Sequence, residues 1–131
     1  DKFKTVKHFC SWLGLSPNNK ISGGKILYSK TKKTSNKATQ AFRLAAGSLY
    51  SSKSYLGDYF RRMRGRHGAP KGITITAHKL ARIFYHLVKN NQSFDSSVFI
   101  EEEKKYKRRK LLQLKKQAES FGFQLVQAEA A

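Results

Sequence analysis

The sequence predicts an all-α fold, a compact bundle of about five helices with a long basic loop between the first two. Three observations predict it. Apolar residues recur at three- and four-residue spacing in separate segments, Gly, Pro and Ser clusters punctuate those segments, and no convincing strand pair or internal repeat is visible. The chain has 131 residues, 39% of them hydrophobic and 12% aromatic. That suffices for one core and falls short of two ordinary domains. Residues 1–95 are expected to form the main helical domain, and 96–131 a charged C-terminal helix used for packing or assembly.

The first helix is expected from Thr5 to Leu13. Thr5 is the cap, and Val6, Phe9, Cys10 and Leu13 share one face, with Trp12 beside it. Gly14 stops it as a left-handed C′ residue, and Pro17 follows. Residues 18–35 read as a loop rich in Asn, Ser, Gly and Lys, within which Ile26, Leu27 and Tyr28 are compatible with one short extended strand. A loop of this length is usually functional or disordered. A second helix runs from Asn36, its cap, to Leu49, with Ala38, Ala41, Phe42, Ala45 and Leu49 on one face. Ser51, Ser52 and Ser54 make a turn before a third helix at Tyr55–Arg64, whose Leu56, Tyr59, Phe60 and Met63 face inward. Gly65, Gly68 and Pro70 are expected to end it. The fourth helix, Thr74 to Lys89, places Ala77, Leu80, Ala81, Phe84, Leu87 and Val88 on one stripe. After Asn90-Asn91 and a loop, a charged helix spans about Phe99 to Ser120. Its narrow seam of Leu111, Leu114, Ala118 and Phe121 suits packing along a partner helix.

Charge narrows the function. Lys and Arg number 27 against 8 Asp and Glu, a formal net charge of +19. Residues 1–94 hold 19 basic side chains against only Asp1 and Asp58, whereas residues 95–131 hold 8 basic and 6 acidic ones. Such a surface repels itself without a polyanion, so nucleic acid is the expected partner, with an anionic membrane surface or mere solubility as the alternatives. The single cysteine, Cys10, excludes an internal disulfide and a cysteine zinc cluster, and suits a reducing compartment. No apolar run reaches the roughly 18–20 residues of a membrane span, and the start lacks the pattern of a signal peptide. A start without Met suggests a piece of a longer chain. The expected location is the cytoplasm, and no membrane partner is expected.

No metal site is expected in this chain. His8, His67, His78 and His86 are not spaced with carboxylates to build one. Glu101, Glu102, Glu103 and Asp58 lie in helix first turns, where the helix dipole favours acids. Ser22-Gly23-Gly24-Lys25 is of another kind. Two glycines expose amide N–H groups, and Lys20, Lys25, Lys30, Lys32 and Lys33 surround them. A hydroxyl among phosphate-binding donors suits a phosphoryl-transfer nucleophile. A phosphate-contacting loop with no reaction fits the same residues, and the Walker spacing is lacking. A second basic group, Arg61, Arg62, Arg64, Arg66 and Lys71, has Tyr59 and Phe60 interleaved. It suits contact with a phosphate backbone without sequence preference, and Lys79 and Arg82 extend the track. Lys37 is a further candidate contact. The run from Lys104 to Lys110 follows Glu101–Glu103 closely enough for intrahelical pairing.

One family carries these motifs in order. Phe9-Cys10-Ser11-Trp12-Leu13-Gly14-Leu15-Ser16-Pro17, then Ser22-Gly23-Gly24-Lys25, Ser29-Lys30 and Asn36 entering an Ala-rich helix, resemble the C-terminal domain of DEDD-type insertion-sequence transposases, the IS-one-ten class of bridge-RNA-guided recombinases. Tyr59-Phe60-Arg61-Arg62-Met63-Arg64 and His78-Lys79-Leu80-Ala81-Arg82-Ile83 resemble its next two helices, so the likeness covers about residues 3–95. Ser35 and Thr39 depart from the family's usual glycine and arginine. The resemblance implies a serine nucleophile, here Ser22, that attacks a DNA phosphate during strand exchange in transposition. It also implies phosphate contacts at Lys25, Lys30 and Arg43. It further implies an N-terminal RuvC-like domain holding a divalent metal, expected to be magnesium, together with a guide RNA and assembly into homo-oligomers on DNA. Without that domain this chain is expected to bind DNA and not to recombine it. The alternative is a basic helical nucleic-acid-binding module with no reaction.

Overall fold

A computed structural model describes residues 2–129. The chain divides into two compact units, Asp1–Phe94 and Asp95–Ala131. In the first, helix α1 (Val6–Trp12) is followed by strands β1 (Pro17–Ser22) and β2 (Lys25–Thr31). Helices α2 (Lys37–Ser48), α3 (Tyr55–His67) and α4 (Ala69–Lys89) complete it. The second consists of a 3-10 turn, Ser96–Phe99, leading into α5 (Ile100–Ser120). The fold is therefore mostly α with one small antiparallel sheet, not all-α.

Local chemistry sets most helix ends where the sequence places them. Thr5 accepts from the His8 N–H, and Asn36 Oδ1 accepts from the Ala38 N–H at 2.9 Å. Ser54 caps α3 through the Gly57 N–H. At the end of α1, Gly14 sits at φ +67, the Leu15 N–H donates to Cys10 O and the Gly14 N–H to Ser11 O. This is a Schellman closure, which needs a left-handed residue at that position. One boundary is misplaced by the sequence. Gly65 lies inside α3, and Pro70 stands in the first turn of α4, where a missing N–H costs nothing. Gly68, at φ +87, is the whole connection.

Helix α4 packs against α1, α2 and α3. The core gathers Phe9, Cys10, Leu13, Leu15, Ala46, Ala77 and Ala81, with Phe3, Val6, Phe42, Ile73 and Tyr85 packed on it. Edge-on and stacked rings join Phe9 to Phe42, Phe84 and Tyr85. The Tyr85 hydroxyl donates to Phe3 O at 3.0 Å, tying the start of the chain to α4. Gly72 lets α4 approach α3, since a Cβ there would lie 2.8 Å from the Arg64 Cα. The buried face of α2 is rotated from the expected stripe: Thr39 and Ala46 are buried while Ala41 and Ala45 are exposed. Thr39 turns inward because its hydroxyl donates to Leu13 O at 2.6 Å, which satisfies a polar group that burial would otherwise penalise.

The largest correction falls on residues 18–35. They are not one long loop but mainly a β-hairpin, β1 paired antiparallel with β2. The register runs Pro17↔Thr31, Asn18↔Lys30, Asn19↔Ser29, Lys20↔Tyr28, Ile21↔Ile26 and Ser22↔Lys25, with a bulge at the step from Lys20 to Ile21. Leu27 is the unmatched residue. Both strands are exposed almost throughout. In the second unit, Asp95 caps the 3-10 turn through the Ser97 N–H and hydroxyl. The Leu111, Leu114 and Phe121 seam of α5 is exposed, and a Schellman closure at Gly122 returns Phe123 toward Ala118.

Candidate nucleic-acid interface

The hairpin tip is built by Gly23 and Gly24, at φ +54 and +75. Two successive positive φ values are what a two-residue type I′ turn requires, and they leave Ser22 and Lys25 facing each other as the last ladder pair. Cross-strand partners share a face and neighbours along a strand alternate. The register therefore puts Ser22, Lys25, Lys20, Tyr28, Asn18 and Lys30 on one face of the ribbon. Ile21 and Ile26 lie on the other. Lys30 Nζ stands 5.7 Å from the Tyr28 ring, which steadies that lysine on the serine's face. Ser22 and the three lysines are exposed. The arrangement presents a hydroxyl among ammonium groups, with no carboxylate or imidazole anywhere in residues 17–31.

Other expected contacts are placed elsewhere. Lys32 and Lys33 follow β2 at the root of the hairpin, and Lys37 opens α2; all three are exposed. Arg43, half-buried on α2, donates from Nη1 to Thr74 Oγ1 at 3.3 Å. Ser22 is at the tip and Arg43 near the root, so the hairpin separates them.

The second basic group mixes scaffolding with display. Arg61 donates from Nη1 to Tyr50 O at 2.8 Å and to Ser52 O at 2.6 Å, and pairs through Nη2 with Asp58. It fastens the 3-10 turn Leu49–Ser51 to α3, a structural role the sequence does not disclose. Arg64 lies 4.6 Å from the Tyr50 ring centre, and Arg62 5.8 Å from that of Tyr55. Lys79 sits 4.4 Å from Tyr59 and 5.1 Å from Tyr55. Stacking on rings holds these cations in place. Tyr50 and Tyr55 are thus ring partners of these cations that the sequence does not single out. Arg66 and Arg82 are exposed. Arg82 lies near His78, whose pKa is pushed below its ordinary value by burial first and by the Arg82 charge second. Burial pushes the Cys10 thiol up, against a smaller opposing pull from Arg82.

Among the described residues, no three of His, Cys, Asp and Glu gather to hold a metal ion. No helix among them is long and apolar enough to cross a membrane. Residues 1–61 match the family model described as Transposase IS116/IS110/IS902 family. That stretch is similar to a transposase. It contains α1, the whole hairpin with Ser22, α2 and the first half of α3, and it supports a transposase-related role. No curated protein and no solved structure matches the chain.

Proposed function

We propose that the chain is the serine-bearing, DNA-binding domain of an insertion-sequence transposase of the IS-one-ten class, with Ser22 as nucleophile. One observation carries the reading: the hairpin register groups Ser22 with Lys20, Lys25 and Lys30 on one exposed face, inside the stretch similar to transposases. In the reaction, Ser22 Oγ bonds to a backbone phosphorus and the bond from that phosphorus to one deoxyribose oxygen breaks. The serine proton leaves to a base, and the departing oxygen takes up a proton. The phosphate is held on the serine as an ester, so a second strand's hydroxyl can reverse the exchange. Lys20, Lys25 and Lys30 stabilise the charge that builds on the phosphoryl oxygens. Lys32, Lys33, Lys37, Arg43, Arg62, Arg64, Arg66, Lys79 and Arg82 supply backbone contacts. Arg61 contributes chiefly by fastening the turn that carries Tyr50.

The hairpin has no acid or histidine to take the serine proton. This favours a chain that by itself binds DNA without reacting, the base being supplied by the RuvC-like domain of the complete transposase. The test is adduct trapping in the complete transposase on a nicked duplex carrying its target. The unsubstituted protein is expected to leave a protein–DNA ester, and Ser22→Ala to lose it by at least about a thousandfold, as for other nucleophile deletions. Adduct formation that persists in Ser22→Ala would remove the assignment.

A further inference from the structure

At the root of the hairpin, beside α2, a concavity of about 370 Å³ is lined by Thr31, Lys32, Lys33, Thr34, Gln40 and Arg43. Every charged group on its wall is cationic, and the remaining polar groups are hydroxyls and one amide. Arg43 is gripped from behind. Its Nη1 donates to the Thr74 hydroxyl, which in turn donates to Pro70 O at 3.1 Å. Two hydrogen bonds in series thus tie the guanidinium to the first turn of α4. A fixed guanidinium with ammonium and hydroxyl groups around it matches a tetrahedral oxyanion, which accepts from several directions at once.

We propose that this concavity seats one phosphodiester of the DNA backbone, a different phosphate from the one that meets Ser22. The proposal rests on the reading of the chain as a DNA-binding domain, and it adds a specific anchor to it. Five residue steps of β1 separate the root from Ser22, about 16 Å at roughly 3.3 Å per residue. No single phosphate spans that distance. The hydroxyl and the concavity would therefore meet two different phosphates of the backbone. The seat would then fix how far the strand is advanced before the hydroxyl meets its phosphorus, which is positioning rather than chemistry.

The test measures duplex-DNA affinity of the chain against salt for Arg43→Gln, Arg43→Lys, Thr74→Val and the double variant Arg43→Gln with Thr74→Val. Arg43→Gln is expected to weaken binding on the order of tenfold and to lower the salt slope by about one. Arg43→Lys should not restore it, because an ammonium cannot reproduce the held fork. Thr74→Val changes no charge, yet it should weaken binding about threefold in the unsubstituted chain and have no further effect beside Arg43→Gln. Full rescue by Arg43→Lys, or an unaltered affinity in Thr74→Val, overturns the seat and leaves diffuse charge, while the reading as a DNA-binding domain stands. No duplex binding by the unsubstituted chain overturns both. Amide shifts of the unsubstituted chain on titration with inorganic phosphate guard against misfolded variants. Shifts centred on Thr31, Thr34 and Gln40 support the seat, and shifts spread over all lysines count against it. Shifts there combined with unaltered DNA affinity in every variant would show a free-phosphate site and overturn the proposal.

Discussion

The helices of the first unit and the hairpin that leaves them are built on opposite terms. Leu13 is 0% exposed and Leu15 2%, with Ala46, Ala77 and Ala81 closing the same core. Ile21 and Ile26, the apolar pair of the hairpin, are 64% and 60% exposed. A two-stranded ribbon with no covered face is marginal by itself in water. It persists here because its root is held: the Thr39 hydroxyl grips Leu13 O, and Gly14 lets Thr34 come close. The helices therefore carry stability, and the hairpin carries charge and a hydroxyl. Damage to one should leave the other's measurement nearly still.

That separation can be broken in three ways. Leu13→Ala empties a fully buried site and should cost about 2–5 kcal/mol. In a unit of this size that lowers the thermal midpoint in circular dichroism by roughly 10 °C or more. A shift of only a degree or two would mean that the core is not where stability resides. Replacing Lys20, Lys25 and Lys30 together by Gln should reduce the slope of log affinity against log salt by about 2.7, with stability within about 0.5 kcal/mol of the original. An unaltered slope would show that this face does not meet the backbone. The smallest effect concerns His78. Burial and Arg82 lower its pKa, so the unfolded chain binds the proton more readily than the folded one. Its contribution to stability is complete above the ordinary histidine value of 6.5 and is lost as pH falls below it. His78→Gln should flatten the stability curve on the acid side of pH 6.5. An unaltered acid limb would place the sensitivity elsewhere.

Much of the helical unit was legible because its signals are local. Thr5, Asn36 and Ser54 cap where a short polar side chain precedes an apolar stripe, and Gly14 closes α1 as a left-handed residue must. Pro70 misled, since the residue that ends one helix can equally open the next when a single glycine joins them. Thr39 misled for a longer-range reason: its acceptor, Leu13 O, lies 26 residues earlier. The hairpin was hidden because β1, Pro-Asn-Asn-Lys-Ile-Ser, has one apolar residue and so no alternation to detect. Gly23-Gly24 between two short runs was the available signal. Of the candidate site, the residue types at the tip were readable and their common face was not. The work of Arg61 on Tyr50 O and Ser52 O was unreadable too, because backbone acceptors leave no trace in a sequence.

The unmatched residue in β2 has a consequence of its own. Counted outward from the tip without Leu27 as an extra, Lys20 would meet Leu27, and Tyr28 would pair with Asn19. Tyr28 and Lys30 would then turn to the side of the isoleucines, leaving the serine with two ammonium groups in place of three. A single inserted amino acid thus acts as a phase shifter between the two halves of the ribbon. Deleting Leu27 would keep Lys20 against Tyr28 and Asn18 against Lys30, so the ribbon would lose its bulge and retain the serine's three ammonium neighbours.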